Sequence, residues 1–375
     1  MDFSFNEEQR ALQDTVQRYM ARDYGFEKRR AILAAEPGWS REVWGQLADL
    51  GVLAVNIPEA HGGLGYGPVE TMLVMNALGN GMLIEPYLAS AVISTALING
   101  LADDATKETL LPQLAAGQKI AVLAHQEPGS RATPDKLHSR ADATGDGYVL
   151  NGAKAVVAGA DCADWLLVSA VSGAGGTGLF LIERGTPGLL VQGYPTLSGE
   201  RAGEVLLRNV YVAASARLGG EAGAAIAQAL DIGLAALCAD AVGAMLGLLD
   251  ATIEYLKTRR QFGQPIGRFQ ALQHRAADML LNFEQAKSMS YLAALRCSDE
   301  DVGERQRYLS AAKVCIGQAC RHLSQNAVQL HGGMGMSDEL NVSHWFKRLT
   351  MIESSMGDSD SHLQRFIAAG ARTSA

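Results

Sequence analysis

Two short segments place ligand-holding side chains at turning points of the chain. Arg259-Arg260-Gln261-Phe262-Gly263-Gln264-Pro265-Ile266 sets two guanidiniums, two amides and an aromatic ring where one long apolar-periodic stretch ends and another begins. Such a corner can hold an anionic, partly aromatic ligand; paired arginines at a helix C-terminus equally complement the macrodipole and solvate the turn. The second segment, Gln329-Leu330-His331-Gly332-Gly333-Met334-Gly335, follows a helical stretch. Its glycines let a backbone approach a ligand closely, and a C-cap followed by a loop is the alternative.

Other patterns exclude chemistries. Gly173, Gly175 and Gly178 match the G-x-G-x-x-G spacing of dinucleotide folds. That motif needs a following helix whose N-terminus faces the pyrophosphate, whereas Leu179-Phe180-Leu181-Ile182-Glu183 reads as a second strand, so the segment is expected to be a hairpin loop. The eight histidines show no zinc-ligand spacing. No G-x-S-x-G is present, and the stretch around Asp358 and His362 lacks the strand-to-helix context of a nucleophile elbow.

The elements that must carry these corners change character along the chain. Up to about residue 118 the pattern is helical: Leu12, Val16 and Met20 recur at helical spacing, with Asn6 and Gln9 forming a capping-box pattern. Further helices are expected at about 41–50, ending at Gly51, and at about 68–78, 87–100 and 106–116. Residues 119–218 read as short β runs separated by Asp146-Gly147 and Asn151-Gly152 turn pairs, which suggests a compact sheet or barrel. Residues 219–375 are helical again, with stretches at about 222–258, 268–298, 304–330 and 339–370 that suit an antiparallel four-helix bundle. The expected class is α+β, mainly α, in three domains: 1–118 helical, 119–218 β-barrel and 219–375 helical bundle.

Composition narrows the partners. The 375 residues carry 40 Asp and Glu against 32 Lys and Arg, a formal charge of −8, which disfavours a nucleic-acid phosphate backbone as partner. Five cysteines without paired spacing argue against a disulfide framework and for buried free thiols. The N-terminus lacks the apolar core of a signal peptide, so a cytoplasmic location is expected. Residues 222–249 are rich in Ala, Leu, Gly and Val, but Asp231, Asp240 and Asp250 interrupt the run, and it reads as a core helix rather than a membrane span.

The combination R-x-Q-F-G at 259–263, F-Q at 269–270 and Q-x-x-G-G-x-G at 329–335 resembles the flavin-binding signatures of the acyl-CoA dehydrogenases. The resemblance runs through nearly the whole chain. It includes Leu50-Gly51-Val52-Leu53-Ala54-Val55, Pro58-Glu59-Ala60-His61-Gly62-Gly63, Glu127-Pro128 and Asn151-Gly152-Ala153-Lys154. The nearest likeness within the family is to the small subunits of two-gene enzymes such as pimeloyl-CoA dehydrogenase.

The resemblance implies FAD as cofactor, lying across a subunit interface. It assigns Arg259, Gln261 and Phe262 to the pyrophosphate, Gln329, Gly332 and Gly333 to the adenosine side, with Gln270 accompanying them. On the β domain it assigns Gln126, Ser130 and Val156. Those barrel motifs depart from the family: T-E-P-x-x-G-S-D becomes Gln126-Glu127-Pro128-Gly129-Ser130-Arg131, and W-I-T/S becomes Val156-Val157-Ala158. A subunit that donates to a partner's flavin better than it holds its own is a physical reading of this asymmetry. The implied reaction is α,β-dehydrogenation of an acyl-CoA thioester, a carboxylate taking the α-proton. Anchored on Leu363-Gln364-Arg365, the base position falls on Asp358, with Glu353 and Asp360 as fallbacks; a catalytically silent subunit is the alternative. An electron-transfer flavoprotein would accept the electrons, and a second acyl-CoA dehydrogenase subunit, or the chain itself in a tetramer, would complete the assembly.

Overall fold

The computed structural model describes residues 5–130, 136–173 and 175–373. In chain order its helices are α1 (Glu7–Arg22), α2 (Phe26–Ala34), α3 (Arg41–Asp49), α4 (Pro68–Asn80), α5 (Thr95–Leu101), α6 (Asp104–Ala115), α7 (Gly223–Thr258), α8 (Gln270–Arg296), α9 (Val302–His331), α10 (Asn341–Ser354) and α11 (Ser359–Thr373). A π-helical turn, Leu88–Ser94, precedes α5. The strands are β1 (Ala121–Ala124), β2 (Arg140–Thr144), β3 (Gly147–Ala158), β4 (Trp165–Ser172), β5 (Gly176–Glu183), β6 (Leu189–Pro195), β7 (Arg201–Ala213), and the two-residue pair β8 (Arg260–Gln261) and β9 (Gln264–Pro265). By their contacts the elements group into two compact units, Met1–Arg30 with Pro68–Leu83 and Leu234–Ala375, and Ala31–Gly67 with Ile84–Gly233.

The first unit is built on α9. Its buried residues Leu309, Ala312, Ile316, Ala319, Leu323 and Ala327 recur every three or four positions, and α8, α10 and α11 pack around it. At the other end of the sequence the capping box forms as read: the Asn6 side chain accepts from Gln9 N at 2.8 Å, and the Gln9 side chain accepts from Asn6 N at 3.0 Å. Helix α7 is long and apolar enough to cross a membrane, but 89% of its most apolar window is buried inside the fold. Its buried Asp240 accepts a two-pronged bond from Arg348 of α10, Nε to Oδ1 at 3.0 Å and Nη2 to Oδ2 at 2.8 Å. That pairing makes a charge tolerable in an apolar helix.

The fourth bundle stretch is not one helix. It breaks at residues 355–358, where Met356 (φ 55°) and Gly357 (φ 97°) both take left-handed backbone. Asp358 then caps α11, its Oδ1 accepting from Ser361 N at 2.9 Å.

The second unit holds one curled seven-stranded sheet, with order β1-β4-β2-β3-β7-β6 and β5 paired to β4. The glycine-rich segment is the hairpin between β4 and β5, closed by Ser172 opposite Gly176, and no helix follows it. Asn151-Gly152, by contrast, is not a hairpin turn. It lies inside β3 at a register shift against β7, where a Cβ on Gly152 would come within 2.7 Å of Ser139 Cα. Glycine is there for close backbone approach within a bulge. Helix α2, β1 and β2 lacked clear periodicity in the sequence. In α2 only Arg29 is buried, its Nε donating to Met82 O at 2.9 Å.

Candidate functional site

In the first unit the ends of α7 and α9 meet. Tyr255, one turn before the end of α7, stacks on His331, the last residue of α9, with centroids 4.3 Å apart. His331 is buried, and burial lowers its pKa; its Nδ1 faces Ala327 O at 2.8 Å, so that nitrogen carries the proton. The two glutamine- and glycine-bearing corners read from sequence are therefore joined through Tyr255 and His331.

The Arg259 corner is a tight hairpin. Gln261 pairs with Gln264 across a two-residue turn, Phe262 and Gly263, and both turn residues have positive φ, 53° and 81°. Left-handed backbone is ordinary for glycine and costly for phenylalanine. The Phe262 ring is 90% exposed, with only an edge contact to Phe269. Arg259, Gln270 and Gln329 are exposed, and none has a side-chain hydrogen-bond or ion-pair partner among the described residues. Gly332 (φ 60°) ends α9, its N–H donating to Gln329 O, and Gly332 and Gly333 are exposed with open space where a Cβ would stand. A guanidinium, amides and bare backbone, with no carboxylate among them, form a donor set that fits a pyrophosphate.

In the second unit the barrel candidates share a buried ion pair. Lys154 Nζ donates to Glu127 Oε1 at 2.7 Å, with the side chains 0% and 3% exposed. Glu127 also accepts from His138 N at 2.6 Å and Ser139 N at 2.9 Å. Burial acts to raise the Glu127 carboxyl, but the hydrogen bonds from Lys154, Ser139 and His138 outweigh it and hold the pKa at about 2. Ser130 is buried beneath this loop, its Oγ accepting from Glu127 N at 3.0 Å and donating to Glu127 O at 2.8 Å. Ser130 thus helps to shape this loop. Gln126 is exposed, and its carbonyl accepts from Ala155 N at 2.8 Å, which joins it to the Val156 bulge. Val156 is half-exposed at φ 53°, an outlier for a β-branched residue. Its N–H donates to Glu204 Oε1 at 3.3 Å, and Tyr194 Oη donates to the same oxygen at 2.7 Å. Burial, then Glu204, pushes the Tyr194 hydroxyl up to about 12. Arg131 lies outside the described residues.

Asp358 stands half-buried on the bend between α10 and α11, Oδ1 also accepting from Ser361 Oγ at 2.6 Å. Glu353 is occupied otherwise: it accepts from Ser359 Oγ at 3.0 Å and pairs with Arg321 at 3.4 Å. Asp360 is exposed in the first turn of α11. Sequence reasoning missed what holds this bend. Lys313 of α9, 1% exposed, donates to Glu353 O at 2.8 Å and Gly357 O at 2.7 Å. The signal was present, since a lysine on the face shared by Leu309 and Ile316 is a charge on the buried stripe. It also missed Glu204 and Tyr194, for which no spacing gave a cue.

Family models match the chain in three segments: the acyl-CoA dehydrogenase N-terminal domain over residues 6–118, the middle domain over 123–210 and the C-terminal domain over 222–371. The chain belongs to the acyl-CoA dehydrogenase family, oxidoreductases acting on CH–CH bonds. It is 32% identical over 322 residues to a probable acyl-CoA dehydrogenase, fadE25, of Mycobacterium bovis, covering 80% of each chain. Among solved structures it is similar to the ChsE4–ChsE5 complex from Mycobacterium tuberculosis, with 26% identity, TM-score 0.91 and full coverage of both chains. It is also similar to the FAD complex of PigA, with 27% identity and TM-score 0.90 over 99% of this chain and 100% of that one.

Proposed function

We propose that the chain is an FAD-dependent dehydrogenase that oxidises the α,β bond of an acyl-CoA thioester, working as one subunit of a heteromeric assembly. The observation that carries this reading is the hairpin that projects a strained, 90% exposed Phe262 beside Arg259, whose side chain has no hydrogen-bond or ion-pair partner among the described residues. A ring held in solvent at backbone cost is expected where something else covers it.

Arg259, Gln261, Phe262, Gln270, Gln329, Gly332 and Gly333 would hold the pyrophosphate and adenosine side of a flavin seated on a neighbouring subunit, and Gln126, Ser130 and Val156 would line the ring side of the flavin seated on this one, Val156 through its apolar surface. FAD, when bound, supplies the acceptor for the β-hydride. Asp358 takes the α-proton, and the bonds from Ser361 orient its carboxylate. Val156-Val157-Ala158 offers no hydroxyl to the flavin. That contrast with the donor-rich corner supports a partner subunit with a fuller barrel site, as does similarity to a protein solved as a two-chain complex. Dicarboxylyl and steroid-derived acyl groups are the substrate classes we favour, and an electron-transfer flavoprotein is the proposed electron acceptor.

One observation favours a second reading. Asp358 already serves as the cap of α11, as a carboxylate in a silent subunit would. Asp358→Asn separates the two, because asparagine caps as well as aspartate. The variant should fold normally and lose about 10²-fold or more of its turnover if Asp358 is the base; unchanged turnover in the assembled enzyme supports the silent subunit.

A further inference from the structure

The four-residue bend that carries Asp358 is held from two sides by buried groups that play no part in the chemistry proposed above. From α9, Lys313 Nζ reaches Glu353 O at 2.8 Å and Gly357 O at 2.7 Å, so one ammonium ties the last turn of α10 to the residue just before Asp358. From α11, His362 is 1% exposed; its Nε2 lies 2.9 Å from Met356 O and its Nδ1 3.2 Å from Ser310 Oγ. A carbonyl oxygen can only accept, so Nε2 carries the proton and Nδ1 accepts from the Ser310 hydroxyl. The His362 backbone N–H also donates to Asp358 O at 3.0 Å.

These bonds hold a backbone that would not hold itself. Met356 is a non-glycine residue at φ 55°, and a Cβ on Gly357 would come within 2.9 Å of His362 Nε2. Left-handed residues in series are expected to relax unless their carbonyls are fixed. Both carbonyls inside the bend that flank its turn, Met356 O and Gly357 O, are fixed, one by each side chain.

We propose that Lys313 and His362 are positioning residues for proton abstraction, fixing the bend so that the Asp358 carboxylate stands at the α-carbon of the acyl group. This rests on the reading of Asp358 as the base. A displacement of about 1 Å in a reacting group costs on the order of 10²-fold in rate.

The test is exchange of the α-protons of an acyl-CoA with D2O by the flavin-loaded assembly, followed by mass spectrometry. The probe is whichever of butyryl-, octanoyl- and pimeloyl-CoA the unaltered enzyme exchanges fastest. Exchange needs only the base, so it reports on Asp358 separately from flavin reduction. Lys313→Met and His362→Leu should each slow exchange about 10²-fold with KM within about threefold. His362→Gln, whose amide N–H still reaches the Met356 carbonyl, should recover most of the loss. Folded, flavin-replete Lys313→Met and His362→Leu proteins that exchange as fast as the unaltered enzyme would overturn the proposal. If Lys313→Met does not fold, the contrast between His362→Leu and His362→Gln decides. Undiminished exchange by Asp358→Asn would instead refute the base assignment itself.

Discussion

Tyr255 and His331 stack with centroids 4.3 Å apart and planes inclined by 27°, and this contact joins the end of α7 to the end of α9. Aromatic pairs of this geometry contribute about 0.5–1.5 kcal/mol beyond their buried area. Tyr255→Leu should therefore lower stability by about 1 kcal/mol in a denaturant titration. It should also weaken flavin retention, read as the flavin-to-protein absorbance ratio after dialysis, because the two donor-bearing corners lose their common support.

Phe262 should show the opposite balance. A ring that is 90% exposed adds little to the fold, so Phe262→Ala should change stability by no more than about 0.5 kcal/mol. Flavin retention by the assembled enzyme should fall, and a calorimetric melt alongside the absorbance ratio checks both parts.

Glu127 and Lys154 form a pair in which neither partner can be removed alone. Glu127→Gln leaves a buried ammonium short of its counter-charge, which costs about 3–5 kcal/mol. The double change to Glu127→Gln and Lys154→Met should recover part of that loss. Urea unfolding of the single and double variants measures the coupling.

Acid should weaken the fold over two pH windows of different origin. Burial lowers the His362 pKa from 6.5 to about 4, so the unfolded chain binds the proton more readily. The stability this contributes is complete above pH 6.5 and is lost as pH falls toward 4. Glu127 is lowered from 4.5 to about 2, so its contribution is present above pH 4.5 and is lost between there and pH 2. His362→Gln should flatten the first window and leave the second, as read from melting temperature against pH.

What the sequence revealed followed from periodicity and composition. The first three helices of the bundle, the capping box at Asn6 and the hairpin between β4 and β5 all depend on local patterns, and all appear in the structure. Asn151-Gly152 misled because the same dipeptide serves a turn and a bulge, and only the approach of Ser139 from a distant strand decides between them. The break before Asp358 was hidden for a similar reason. Its left-handed residues are stabilised by Lys313, more than forty positions away, and by His362, whose role depends on Ser310. The exposed donors around Arg259 were legible as residue types, while the stacking that gathers them was not.

A chain that works on an acyl-CoA through a bound flavin, as proposed above, carries that flavin when purified alone or with its partner. The most direct measurement is the visible spectrum of the purified chain, alone and with any co-purifying subunit, before and after anaerobic addition of an acyl-CoA. The expected result is a flavin spectrum that the thioester bleaches, in the chain itself or in its complex. A preparation without flavin in either form, or a flavin that no acyl-CoA reduces, would contradict it.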